Sequence, residues 1–97
     1  MQELTEEKKR ELKAKYGTLF LLEVEDKQCI LKTPDRKTLA MAQSIGKQNP
    51  LKFNEILLKN CWVDGDEEIK KDDALFLAAC QKLDEIIEVK DAYLTKL

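Results

Sequence analysis

Residues 18–33 read Thr18-Leu19-Phe20-Leu21-Leu22-Glu23-Val24-Glu25-Asp26-Lys27-Gln28-Cys29-Ile30-Leu31-Lys32-Thr33, and the fold turns on this stretch. Phe20, Leu22 and Val24 alternate with Leu19, Leu21 and Glu23, which is the two-residue period of a strand. Asp26-Lys27 is the turn candidate, and residues 28–33 read as the returning strand. Pro34 follows and cannot donate to a ladder, so the hairpin ends at Thr33. A lone hairpin is marginal in water and needs a cover. The first strand is apolar on both faces from Leu19 to Leu22, so it needs cover on both sides or a partner at its edge.

Outward from the hairpin the period changes to that of helices. Residues 5–15 predict a charged helix with Thr5 as N-cap, Glu6 and Glu7 in the first turn and Gly17 as the stop. Its apolar positions are few, Leu4, Leu12 and Tyr16 with Ala14 as a weak addition, so it is either loosely docked or frayed when alone. Residues 36–45 predict a second helix, opened by Pro34 or Asp35 and stopped by Gly46. Asn49-Pro50 is an N-cap with proline at the first helical position. The third helix over 50–60 carries Phe53, Ile56, Leu57 and Cys61 on one stripe. Trp62 to Lys71, with Asp64-Gly65-Asp66 inside it, reads as a loop. From Asp73 onward Phe76, Cys80, Leu83, Ile87 and Leu94 recur at helical spacing, which predicts one long amphipathic helix to near residue 97 with a bend at Val89-Lys90. The fold class is therefore α+β: an N-terminal helix, a β-hairpin and three helices. Residues 1–97 form one domain, made of the charged helix (1–17), the hairpin (18–33) and a helical part (34–97).

Composition narrows the function. The 97 residues carry 17 Lys/Arg and 19 Asp/Glu, a net charge of −2. The acidic excess sits in residues 63–97, with ten Asp/Glu against five Lys/Arg. Nucleic-acid affinity comes largely from neutralising phosphates, so this balance argues against a nucleic-acid partner. No stretch approaches a membrane span, and Met1 to Lys15 lacks the apolar centre of a secretory signal, so the expected setting is cytoplasmic with no membrane partner. The sequence has no histidine and Ser44 is its only serine, which removes Ser-His-Asp and Cys-His chemistry. Cys29, Cys61 and Cys80 are odd in number, widely spaced and set among apolar neighbours; they read as small buried hydrophobes rather than a disulfide framework or zinc site. Asp64, Asp66, Glu67, Glu68, Asp72 and Asp73 read as turn and capping residues. A calcium loop counted from Asp64 fails at Ile69 and Leu75, where glycine and glutamate are required. Gly46-Lys47 lacks the rest of a phosphate-binding loop. No catalytic residue, metal or cofactor is expected.

Several segments together resemble one family. They are Lys15-Tyr16-Gly17 leading into an apolar strand, the exit Thr33-Pro34-Asp35-Arg36, the run from Glu55 to Trp62, Gly65-Asp66-Glu67-Glu68-Ile69, and a final amphipathic segment carrying Leu83, Ile86 and Ile87. In this order they resemble the tail assembly chaperones of phages and prophages. The resemblance covers residues 15–97 at the level of pattern. It implies a non-enzymatic role: binding the long apolar tape measure protein, keeping it soluble during virion assembly, and self-association into an oligomer. Tyr16, Phe20 and Trp62 are the candidate partner contacts, chosen on exposure grounds. Two other readings stand beside it. One is a small acidic regulator or inhibitor that blocks a basic protein surface. The other is a minor enzyme using carboxylates or Cys61.

Overall fold

The computed structural model describes residues 5–97. Leu4, counted above with the first helix, lies outside them. The first helix, α1, spans Glu6–Tyr16; Thr5 Oγ1 accepts from the Lys8 N–H at 3.1 Å, and Gly17 at φ 82° donates its N–H to the Lys13 carbonyl. The cap and stop are those the sequence predicts. None of α1's residues is buried.

Strands β1 (Leu19–Val24) and β2 (Lys27–Lys32) form the hairpin in the register Val24↔Lys27 to Leu19↔Lys32. The connection is Glu25-Asp26, one residue earlier than Asp26-Lys27, and Glu25 takes φ 55°. On β2, Cys29 and Leu31 face the core and join Val24 there. Ile30 points the other way and is still only 2% exposed. On this outer face Lys9 and Lys13 of α1 line a shallow hollow together with Leu19, Phe20, Leu21 and Ile30, and Leu21 stays half-exposed.

Helix α2 spans Arg36–Gly46 and is capped by Asp35, whose carboxylate accepts from the Thr38 N–H at 2.7 Å. Gly46 does not stop the helix; α2 runs through it, with Lys47 as the right-handed cap. The glycine serves packing instead. A Cβ there would lie 2.5 Å from the Cβ of Phe53, and that close approach lets α2 fold back on α3. Helix α3 (Pro50–Cys61) has Asn49 as its cap and Pro50 in its first turn, and it buries Leu57, Leu58 and Cys61 with Phe53 and Ile56 half-buried beside them. The predicted stripe is the one that packs.

The expected loop over 62–71 is instead a strand and a short helix. Trp62–Gly65 forms β3, antiparallel to β2, giving a three-stranded sheet in the order β1-β2-β3. The register jumps from Ile30↔Asp64 to Leu31↔Trp62, which makes Val63 a bulge residue. Gly65, at φ 150°, lets β3 come within reach of Cys29. Asp66 extends the ladder by one step: its N–H donates to the Gln28 carbonyl, and its carboxylate accepts from the Gln28 N–H, each at 2.8 Å. Glu68–Lys71 then makes α4, a single turn that drives Ile69 fully into the core.

The long C-terminal helix does not form. Helix α5 covers only Asp73–Cys80, capped by Asp72, and a 3-10 turn follows at Leu83–Ile86. Residues 87–97 have no regular secondary structure. The reason is the size of the core. An eight-residue helix is about 12 Å long, enough to cross one face of a narrow sheet. Continued straight, it would carry Leu83 and Ile86 past that sheet into water. Breaking at Gln81-Lys82 turns both back, and they are 0% and 4% exposed. The core thus lies between the inner sheet face and α3, α4, α5 and the 3-10 turn. Helix α2 packs on α3, and α1 lies outside. The molecule is α+β, with the helical part 34–97 interrupted by β3.

Candidate functional site

The two edges of the sheet differ. β3 is four residues long and bulged, and Lys70 Nζ lies 4.3 Å from the centre of the Trp62 ring at its start. Short length and a bulge are ordinary protections against further pairing. β1 has neither. It is six residues, contains no proline or lysine, and among the described residues pairs with β2 alone. A two-residue connection makes Val24 and Lys27 a hydrogen-bonded pair. Phe20 and Leu22 share that phase, so Leu19, Leu21 and Glu23 turn their backbone N–H and C=O groups toward the open edge.

A hollow of about 330 Å³ adjoins this edge, between Phe20 and Leu22 on β1, Leu31 behind them, and Leu83 and Ile86 of the 3-10 turn. Glu23, Lys82 and Glu85 form its charged rim. The hollow is mixed in character, with apolar side chains behind charged ones, and the volume sits at the small end of the roughly 300–1,000 Å³ of ligand pockets. It fits one or two apolar side chains beside an extended backbone. On the other side of β1, Leu21 is 51% exposed. The Leu83 and Ile86 wall escaped sequence reasoning, because their three-residue spacing was absorbed into a helix that does not form. The spacing itself was the available signal.

The three candidate contacts do not converge. Phe20 lines the hollow. Tyr16 ends α1 and lies near Lys15 and Lys32, whose amino groups are 5.2 and 5.4 Å from its ring centre, in a separate polar depression with Pro34 and Thr38. Trp62 packs on the core beneath Lys70. Only Phe20 belongs to the β1 edge.

The groups weighed for chemistry have structural duties. Burial pushes the Cys29 thiol up to about 12 and the Cys61 thiol up to about 11, the reverse of an activated nucleophile. Cys80 is only half-buried, so it departs from the fully buried expectation, and burial raises its thiol too. Among the carboxylates, Asp72 accepts from the Leu75 N–H at 3.0 Å, Asp64 accepts from the Gly65 N–H at 2.9 Å, and Glu67 pairs with Lys70 at 2.7 Å. The Gln28 N–H, donated to Asp66, holds that carboxyl below the usual aspartate range. Among the described residues no group of three His, Cys, Asp or Glu is placed to hold a metal ion, and no helix is long and apolar enough to cross a membrane. Comparison with protein-family models, with curated proteins and with solved structures finds no match.

Proposed function

We propose that the protein is a non-catalytic binding module of the tail assembly chaperone kind, holding an apolar helical partner, the tape measure protein, in solution in the cytoplasm of a bacterial host. The observation that carries the reading is the β1 edge: six strand residues with no protecting proline or lysine, beside a hollow walled by Phe20, Leu22, Leu83 and Ile86 and rimmed by charge. An unprotected edge beside such a hollow is a liability in a free protein unless something binds there. Phe20 and Leu21 are the contacts this reading favours; Tyr16 and Trp62 are secondary. The acidic residues of 63–97 are dispersed: Asp72 caps α5, Asp64 holds a turn, Glu67 makes an exposed pair with Lys70, and of the ten, Glu85 lines the hollow beside β1. That dispersal favours a chaperone over an acidic inhibitor.

The test is co-production with a phage tape measure protein. The chaperone reading expects the partner to move from the insoluble to the soluble fraction and to co-purify. It also expects Leu21→Asp, a change at a half-exposed position, to abolish that rescue while leaving the circular dichroism spectrum intact. Rescue by neither form, or equally by both, refutes it.

A further inference from the structure

The open edge of β1 has a hollow on each side. On the core side lies the 330 Å³ hollow walled by Leu22, Leu83 and Ile86; on the outer side lies one of 170 Å³ between Leu19, Ile30 and α1. Phe20 and Leu21 border both, so the two hollows meet at the middle of the strand. Between them the backbone groups of Leu19, Leu21 and Glu23 face outward, as the hairpin register requires. A helix pairs its own backbone groups and offers one apolar stripe, so it would leave this edge unmatched and meet a single hollow. An extended segment pairs with the edge, and its successive side chains point to opposite faces, so neighbouring residues enter the two hollows in turn.

Charge is graded along the same edge. At the Leu19 end stand Lys13, which lines the outer hollow, and Lys32, which is opposite Leu19 in the hairpin and meets Lys15 over the Tyr16 ring. At the other end Glu23 is exposed, Glu25 and Asp26 follow it in the turn, and the nearby Lys27 is drawn off to Glu68 at 3.4 Å. Neither Lys13 nor Glu23 has an ion-pair partner among the described residues. Four residues of strand separate Leu19 from Glu23, about 13 Å, which exceeds the roughly 8–10 Å over which salt screens exposed charges, so the two ends act separately. On the core-side rim Lys82 and Glu85 lie 3.6 Å apart and answer each other.

We infer that β1 takes its partner as a fourth, antiparallel strand, with a basic residue opposite Glu23, apolar residues opposite Leu22, Leu21 and Phe20, and an acidic residue opposite Leu19. The inference rests on the reading of this edge as the binding site and adds the form and the sequence class of what binds: an extended stretch that runs basic, three apolar, acidic from its N-terminus. The side chains opposite Leu22 and Phe20 fill the core-side hollow, and the one opposite Leu21 covers the half-exposed leucine. The acidic residue reaches toward Lys13. The antiparallel sense matches the rest of the sheet and is the slightly more stable pairing per residue.

The test is a blocked peptide with Lys-Leu-Val-Leu-Glu at its centre and two threonines on either side, titrated into the isotopically labelled chain. Binding shifts the amide resonances of Leu19, Leu21 and Glu23 and slows their hydrogen exchange. N-methylation of the peptide's valine, whose N–H donates to the Leu21 carbonyl, weakens binding by about tenfold or more, while N-methylation of the leucine before it, whose N–H points away, changes it by less than about twofold. Exchanging the peptide's Lys and Glu weakens binding on the order of tenfold at low salt and less at high salt, and Glu23→Lys, at an exposed position, removes that preference. No binding, equal effects of the two methyl groups, or indifference to charge order each overturn the inference, and preference for the exchanged order overturns its antiparallel sense. Solubilisation of a tape measure protein without peptide binding removes strand addition and keeps the chaperone. Charge-ordered peptide binding without solubilisation keeps strand addition and removes the chaperone.

Discussion

Gly65→Ala tests whether β3, absent from the sequence reading, is held as described. Gly65 sits at φ 150°, and a Cβ there would lie 2.4 Å from the Cβ of Cys29, 2.5 Å from its Cα and 2.7 Å from the Gln28 carbonyl oxygen. Two costs add. A side chain in glycine-only backbone space costs about 1–3 kcal/mol. Overpacking against a closed neighbour costs about 1–3 kcal/mol more, because two of the three obstructing atoms are backbone and cannot rotate away. The sum, about 2–6 kcal/mol, is a large part of the roughly 5–15 kcal/mol that stabilises a domain of this kind. Gly17→Ala is the control. Gly17 also has a positive φ, 82°, but nothing lies within 4 Å of its missing Cβ, so only the backbone cost applies. Chemical denaturation, fitted to two states, therefore expects Gly65→Ala to lose about 1–3 kcal/mol more than Gly17→Ala, with a melting temperature lower by about 4–8 °C per kcal/mol. Cys29→Ala in the same chain does not rescue Gly65→Ala, since it leaves the obstructing Cβ in place. Equal losses at the two glycines, or rescue by Cys29→Ala, would mean that β3 does not press on β2 as described.

Glu25 holds φ 55° in the hairpin turn, a region where a side chain is strained and glycine is not, so Glu25→Gly raises stability by about 0.5–1 kcal/mol in the same denaturation assay; a loss of stability refutes the turn geometry. The thiols separate by burial: iodoacetamide at mildly alkaline pH labels half-buried Cys80 first, while Cys29 and Cys61, raised to about 12 and about 11, hold almost no thiolate and react only on unfolding. Peptide mapping by mass spectrometry reads the order, and early labelling of Cys61 would revive a thiol chemistry for this chain.

Local signals in the sequence were sufficient where a residue and its consequence lie within one turn. Thr5, Asp35, Asn49 and Asp72 each cap a helix by accepting from the N–H three residues on, a bond that needs no other part of the chain. Alternation from Leu19 to Val24 likewise marked a strand, and β1 contains the one candidate contact, Phe20, that stands at the site. Other features depended on distant partners. Trp62–Gly65 has no strand pattern of its own; it is extended because Cys29 to Leu31 offer it an unpaired ladder and Gly65 permits the approach. Gly46 marked a helix end by its local preference, yet its use is the passage of Phe53, which sequence distance conceals.

The sequence by itself determined the starts of α1, α2, α3 and α5, the hairpin and the absence of histidine-based chemistry, because each follows from short-range sterics, hydrogen bonding or bare composition. Tertiary structure decided where the last helix ends. Phe76, Cys80, Leu83 and Ile87 keep a helical period, but burial is won against a sheet of finite width, so the chain breaks after Cys80 and tucks Leu83 and Ile86 beneath β1. That break both builds the hollow and sends residues 87–97 into solvent, because an apolar period records which residues seek cover and not how far the cover extends.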